Sequence, residues 1–201
     1  KTYGLAEDLS IKHIAAANLK LDANNALIIE KLNTVGYKQQ SIRLNELLGT
    51  QLRYHQDELS VDSVKVKEVA IDAPVKMALS SLGLNAVEIK NLSKPSEMAY
   101  SIKAIAAKDL QTDILGSSVS SASASIVEGN TSSIRLERVS ALKANIELKR
   151  SQNGQWQAFP ASDGSSNQKH FAWTIAQVIL EESKVTIEDG AVSPAFNDEL
   201  L

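Results

Sequence analysis

An apolar phrase with an uneven step recurs along this chain, and few architectures can accommodate it. In Phe171–Pro194 the apolar positions are Trp173, Ile175, Val178, Leu180, Val185 and Ile187, with Ser183 in a small slot before Asp189-Gly190. Writing h for apolar and s for small, the template is h-x-h-x-x-h-x-h-x-x-s-x-h-x-h. It fits again at Ile134, Leu136, Val139, Ala141, Ala144, Ile146 and Leu148, closed by Asn153-Gly154. Val61, Val64, Val66, Val69 and Ile71 repeat it, as do Ile11, Ile14, Ala16, Leu19 and Leu21, and looser copies start at Ile42 and Leu82. At about 100° per residue, helical positions 0, 2, 5, 7, 10 and 12 fall at roughly 0, 200, 140, 340, 280 and 120°, which leaves no apolar stripe.

On a flat strand the phrase would change face at every x-x step, because side chains alternate with a period of two. A β-bulge at each step would restore the face, and strand twist would help. The steps Asn45-Glu46, Asp62-Ser63, Glu137-Arg138 and Ala176-Gln177 are mostly polar and suit exposed kinks. The expectation is a mainly β fold: long, twisted, bulged antiparallel strands forming a curved sheet with an apolar groove, and little helix. A single strand over Phe171–Glu188 would run roughly 60 Å, well beyond the usual five or six residues. A β-solenoid with corners at each x-x is the rival reading, but its coils would repeat without interruption. Here each run lasts only until the next turn signal.

Those signals divide the chain. Asn24-Asn25, Gly36-Tyr37, Gln56-Asp57-Glu58, Lys94-Pro95-Ser96 and Gly129-Asn130 are expected turns. Ala26–Leu32 should be a short strand, and Gly49 should break the phrase running from Ile42 to His55. Ala15-Ala16-Ala17 favours helix by propensity while its period favours strand. Tyr100–Leu115 can be read as a helix of about four turns or as a strand. Gly116–Ser125 reads either as a flexible linker or as a thin strand in a close-packed place. Pro, Gly and Ser in 158–169 mark a linker or turn. The organisation expected is therefore a repeat segment over 1–157, that linker, and the start of a following repeat over 170–201.

Composition narrows function. Hydrophobic residues make up 43% of the 201 positions and aromatics only 4%, so any interior must be lined by Leu, Ile, Val and Ala. A net charge of −3 leaves no basic footprint for nucleic acid. The absence of cysteine excludes thiol catalysis and thiolate-bound metal. No apolar run approaches the roughly 18 residues of a membrane span. The phrase at Phe171–Asp189 is followed by only a short tail, which suggests a piece of a longer protein whose last strand has an edge to satisfy.

Candidate chemical groups are few. His13, His55 and His170 lie far apart in sequence and make no ligand spacing. The serine run contains no G-x-S-x-G elbow. Asp57-Glu58, Glu181-Glu182 and Glu188-Asp189 are adjacent pairs, and neighbours on a strand point apart, which does not suit paired acid–base work. Asp189 reads as the start of a turn with Gly190. Asn91-Leu92-Ser93 and Asn130-Thr131-Ser132 fit a glycosylation acceptor at near-chance frequency. Trp156 and Trp173 read as core or groove anchors. No catalysis, metal or cofactor is expected.

Two phrases carry a family resemblance. Ile134–Trp156 resembles the V-x-L-x-x-V-x-L-x-x-A-x-I-x-L-x-R-x-x-x-G-x-W phrase of the AsmA-like superfamily of bacterial envelope proteins, with Arg150, Gly154 and Trp156 at its end. Phe171–Pro194 is similar to the W-x-[IV]-x-x-[IVL]…V-x-[IF]-x-D-x-x-V-x-P signature of a poorly characterised branch of that superfamily. Trp173, Ile175, Val178, Val185, Ile187, Asp189, Val192 and Pro194 match it. About 60 residues are covered. The resemblance implies a non-catalytic periplasmic module in which a twisted sheet folds into a groove for phospholipid acyl chains, supporting lipid transport or outer-membrane homeostasis. It also implies partners: phospholipid, the remainder of a longer chain, and the inner membrane through an anchor not present in these 201 residues. The lining would be drawn from Ile11, Ile14, Ile42, Leu44, Leu47, Val61, Val64, Leu84, Val87, Ile134, Leu136, Val139, Ile175 and Val178. The alternative is a self-contained β-sandwich that binds a protein or glycan outside the cytoplasm, in which the same residues form an ordinary core.

Overall fold

The computed structural model describes residues 9–72, 76–112, 117–154, 172–192 and 196–200. Strands hold 79% of these residues, and the helical part is one 3-10 turn at Pro95–Glu97. Eight strands follow one another as hairpins: β1 (His13–Leu21), β2 (Leu27–Gln39), β3 (Ile42–His55), β4 (Glu58–Ile71), β5 (Met77–Lys90), β6 (Ala99–Thr112), β7 (Ser118–Asn130) and β8 (Ser133–Arg150). Each pairs antiparallel with the next. The chain then returns as β9 (Ala172–Glu181) and β10 (Lys184–Asp189), both parallel to β8, and β11 (Phe196–Leu200) lies antiparallel against β10. All belong to one curved, unclosed sheet. Among the described residues there is no second sheet, so neither the sandwich nor the solenoid is the architecture found.

Several turn signals prove to lie inside strands. Gly36-Tyr37 does not turn the chain, because β2 passes through it to Gln39, and Gly49 does not interrupt β3. Tyr100–Leu115 is strand as far as Thr112, and the serine-rich stretch is β7. Hydrogen-bonded neighbours on both sides override the helix propensity of the alanines there. Phe171–Glu188 is not one strand, since Glu182-Ser183 divides β9 from β10. It also pairs parallel rather than antiparallel. The expected linker at 158–169 lies outside the described residues.

True turns are capped by side chains. Asp22 Oδ1 accepts from the Asn24 and Ala26 N–H groups, closing the β1–β2 turn. Gln56 and Asp57 both have positive φ, 45° and 72°, as a two-residue hairpin loop requires. Asn130 Oδ1 accepts from the N–H groups of Ser132 and Ser133, and Asp189 Oδ1 accepts from that of Ala191.

The x-x steps are resolved in an unforeseen way. A bulge adds a residue to one strand and shifts the register, yet the register of every pair here is constant from end to end. Instead all strands step together. One kink line crosses the sheet through Asn18, Glu30, Gln51, Asp62, Ala86, Lys103, Ile126, Glu137 and Ala176, which fall opposite one another where each register passes over a pair and resumes unshifted. A second, six positions along each strand, runs through Lys12, Gly36, Asn45, Glu68, Ser80, Asp109, Ser120, Lys143 and Glu182. On the first line the odd strands carry left-handed backbone: Asn18, Gln51, Ala86 and Ile126, with φ between 47° and 56°. On the second the even strands carry it: Gly36, Glu68, Asp109 and Lys143. Every antiparallel contact at a kink therefore opposes one left-handed residue to one ordinary residue. Only the parallel β8–β9/β10 contact breaks the alternation, with Glu137 and Ala176 both ordinary and Lys143 and Glu182 both left-handed.

Several kink residues interact across their strands. Asn18 Nδ2 donates to Glu30 Oε2 at 2.5 Å, Ser80 Oγ to Asp109 Oδ2 at 2.6 Å, and Lys143 Nζ lies 3.7 Å from a Glu182 carboxylate oxygen. Ser183 accepts from the Ala144 N–H and donates to the Glu181 carbonyl, which ties the β9–β10 break to β8.

Candidate functional site: the apolar face

The two kink lines let the uneven phrase keep one face. Val61 pairs with Leu52 and Val87, and the same level continues through Leu19, Ile29, Ile102, Val127, Leu136 and Ile175. The next level holds Ala16, Leu32, Gly49, Val64, Leu84, Ile105, Ala124, Val139 and Val178. A third holds Ile14, Thr34, Leu47, Val66, Leu82, Ala107, Ala122, Ala141 and Leu180. Tyr37, Leu44, Val69 and Leu79 begin a fourth. Between them lie polar levels on the opposite face, such as Thr50, Ser63, Asn85, Ser125, Arg138 and Gln177. There Thr50 Oγ1 and Ser63 Oγ are 2.8 Å apart and Arg138 Nε donates to Gln177 Oε1 at 2.9 Å.

Burial identifies the inside of the curve. Val61, Val66, Val87 and Val127 are 6%, 5%, 8% and 1% exposed, although no second layer among the described residues covers them. Their neighbours Asp62, Lys65, Lys67, Glu88 and Glu128 are exposed. A single sheet buries one face only by curling toward it, so the apolar face is concave. Its two lateral margins are uncovered: Ile14, Leu19 and Leu21 on β1, and Ile175, Val178 and Leu180 on β9, are 43–69% exposed.

All fourteen residues singled out for a groove lie on this face. Ile14, Leu44, Leu47, Val61, Val64, Leu84, Val87, Leu136, Val139, Ile175 and Val178 occupy these levels, and Ile42 (with Ile71 and Met77) and Ile134 (with Gly129 and Tyr100) lie on two further levels of the same face. Ile11 falls level with Tyr37 by continuation of the β1–β2 register through the Ser10–Lys38 bridge. Sequence reasoning missed Leu52, Ile102 and Val127 on the same levels, and it left Leu180, already read as part of the apolar phrase, out of the lining. Leu52 sat beyond the supposed break at Gly49. Ile102 was hidden by the helix-like reading of its stretch, and Val127 follows a run of small residues that obscured its strand.

The polar groups do not converge. His13 and His55 stand on different strands, and among the described residues no three of His, Asp or Glu gather as a metal site. A concavity of ≈ 440 Å³ near the hairpin ends is lined by Glu88, Lys90, Tyr100, Glu128 and Arg135, a mixture of both charges. The carboxyl of Asp22 is held below the usual carboxylate range, chiefly by the Ala26 N–H, and Arg53 lies 3.0 Å from it. Lys67 is pushed above the usual lysine range by its hydrogen bond to Glu46, 2.7 Å away. Both belong to exposed cross-strand or turn contacts. Among the described residues no helix is long and apolar enough to cross a membrane.

Comparison with known proteins finds no matching family model, no matching curated protein and no matching solved structure.

Proposed function

We propose that the concave apolar face holds the acyl chains of phospholipid, and that the protein is a non-catalytic envelope module of the AsmA-like kind, working in the periplasm in lipid transport or outer-membrane homeostasis. The observation that carries this reading is the set of apolar levels running across nine strand positions on one face of a sheet that no second layer covers among the described residues. Its lining, mainly aliphatic, suits flexible chains. Among the described residues the charged cross-strand pairs lie on the outer face, at the kinks and at the hairpin ends, where headgroups would meet water. The expected result is phospholipid co-purifying with the chain, seen by native mass spectrometry, together with saturable binding of a fluorescent phospholipid. A clean apo mass and no titration would defeat the reading.

A further inference from the structure

The tyrosines of the concave face stand toward its borders. Tyr54 pairs with Leu27 and Leu59, Leu59 with Ile89, and Ile89 with Tyr100. Both phenols therefore lie on the level nearest the β1–β2, β3–β4, β5–β6 and β7–β8 turns. The levels through Val61, Val64 and Val66 carry no aromatic residue. At the other end of the strands the last level holds Ile42, Ile71 and Met77, with the Arg43–Asp72 ion pair beside it. Tyr37 lies one level further in, and its hydroxyl donates to Gln39 Oε1. The Tyr54 and Tyr100 hydroxyls have no partner among the described residues. The Tyr100 phenol reaches sideways over Gly129 on β7.

A phenol joins an apolar ring to a hydroxyl, and such groups settle where hydrocarbon gives way to water. On the lipid reading above, we propose that this face takes phospholipid in one orientation. Tyr54 and Tyr100 donate to its ester or phosphate oxygens, the headgroup lies at the adjoining turns, and the acyl chains cross the kink lines toward Ile42. The first methylenes of the chains meet the phenol rings, and the rest meet the aliphatic levels beyond. The two ends are similarly open to water, with Tyr54 45% and Ile42 40% exposed, so access does not set the direction. The phenols do. Among the described residues the end at Ile42 offers no free phenol, because the Tyr37 hydroxyl is already bonded. Tyr54 and Tyr100 are thus positioning residues for the lipid.

The chain has no cysteine, so a single introduced one takes a fluorescent label at one place. Leu21→Cys, on β1, is level with Tyr54, and Ile42→Cys, on β3, lies at the other end; both positions are exposed. Circular dichroism checks that each variant keeps its strands. Each labelled protein is titrated with phosphatidylcholine carrying a nitroxide quencher on the headgroup or at the end of one acyl chain. The headgroup nitroxide should quench the β1 label more than the β3 label, and the chain-end nitroxide should do the reverse. Equal quenching of the two labels, or the opposite order, overturns the orientation and leaves the lipid reading in place. No quenching by either lipid at either label defeats the lipid reading, and the orientation with it. Tyr54→Phe combined with Tyr100→Phe keeps both rings and removes only the hydroxyls, so its thermal melt should match the parent's. Its affinity for the same lipids should fall roughly tenfold, and the difference between the labels should shrink. A double variant that binds as tightly and in the same order overturns the role of the phenols, and the proposal with it.

Discussion

The alternation at the kinks predicts that glycine has opposite effects at two exposed positions facing each other across β3 and β4. Gln51 sits at φ 52° and Asp62 opposite it does not carry positive φ. A left-handed residue with a Cβ costs roughly 1–2 kcal/mol, whereas glycine adopts that backbone freely. Glycine also loses more chain entropy on folding, about 0.5–1 kcal/mol relative to alanine. Gln51→Gly should therefore stabilise by about 0.5–1 kcal/mol, and Asp62→Gly should destabilise by about the same amount. Both side chains are exposed, so lost packing contributes little. Urea unfolding followed by circular dichroism reads both on one scale, with the slope of the transition checking that the unfolded state is unchanged. Equal destabilisation at the two positions would refute the alternation.

Three further outcomes follow from particular contacts. At Gly129 a Cβ would overlap the Tyr100 phenol, ring atoms included, across the β6–β7 pair, so Gly129→Ala should cost about 1–3 kcal/mol, with part recovered in a Tyr100→Ser background, which removes the ring; thermal melts of the single and double variants check it. Asp22, whose carboxyl lies below the usual range, contributes stability that is present above the ordinary carboxylate pKa and lost as pH falls through its own lowered value. Asp22→Asn should thus be less stable than the parent at neutral pH, with the gap closing as acid is added, read by melts across pH. Val61 is 6% exposed and Val178 58%, so Val61→Asp should lose several kcal/mol while Val178→Asp stays within about 1 kcal/mol of the parent; equal losses in denaturant melts would mean that the face is not graded from centre to margin.

The phrase made the sheet legible because its unit is long and its period excludes a helix. Val61, Val64, Val66 and Val69 require one buried face and a step every few residues, and little besides kinked strands supplies that. What could not be read was how the step is taken. A bulge is a property of one strand, and the sequence of one strand suggests it, whereas the shared kink is a property of the whole sheet. Asn18, Gly36 and Asp109 are residues at ease in left-handed backbone, but Gln51, Ala86, Ile126 and Lys143 are not. Their conformation is imposed by neighbours whose kinks fall at the same level. The two glycines taken as breaks mislead for the same reason. Gly36 is the left-handed residue of a continuous strand, and Gly49 lies on an apolar level whose space is filled by the Leu52 side chain.

Function was less legible because these levels are demanded twice over. A sheet of this kind needs aliphatic residues at every inward position to fold, and a lipid-holding face needs the same residues to bind. Val127 and Ile175 share a level, yet the first is almost fully buried and the second about half exposed. Their sequence contexts, one after serines and one after Trp173, do not announce the difference. It arises from position across the sheet: a central strand has neighbours to close over it, and an edge strand has none. Among the described residues Ile14, Leu19 and Leu21 on one margin and Ile175, Val178 and Leu180 on the other are the apolar side chains of this face that stay open to solvent, and the lipid reading draws its sharpest tests from those six, because a change there costs the fold little and should still alter what the face holds.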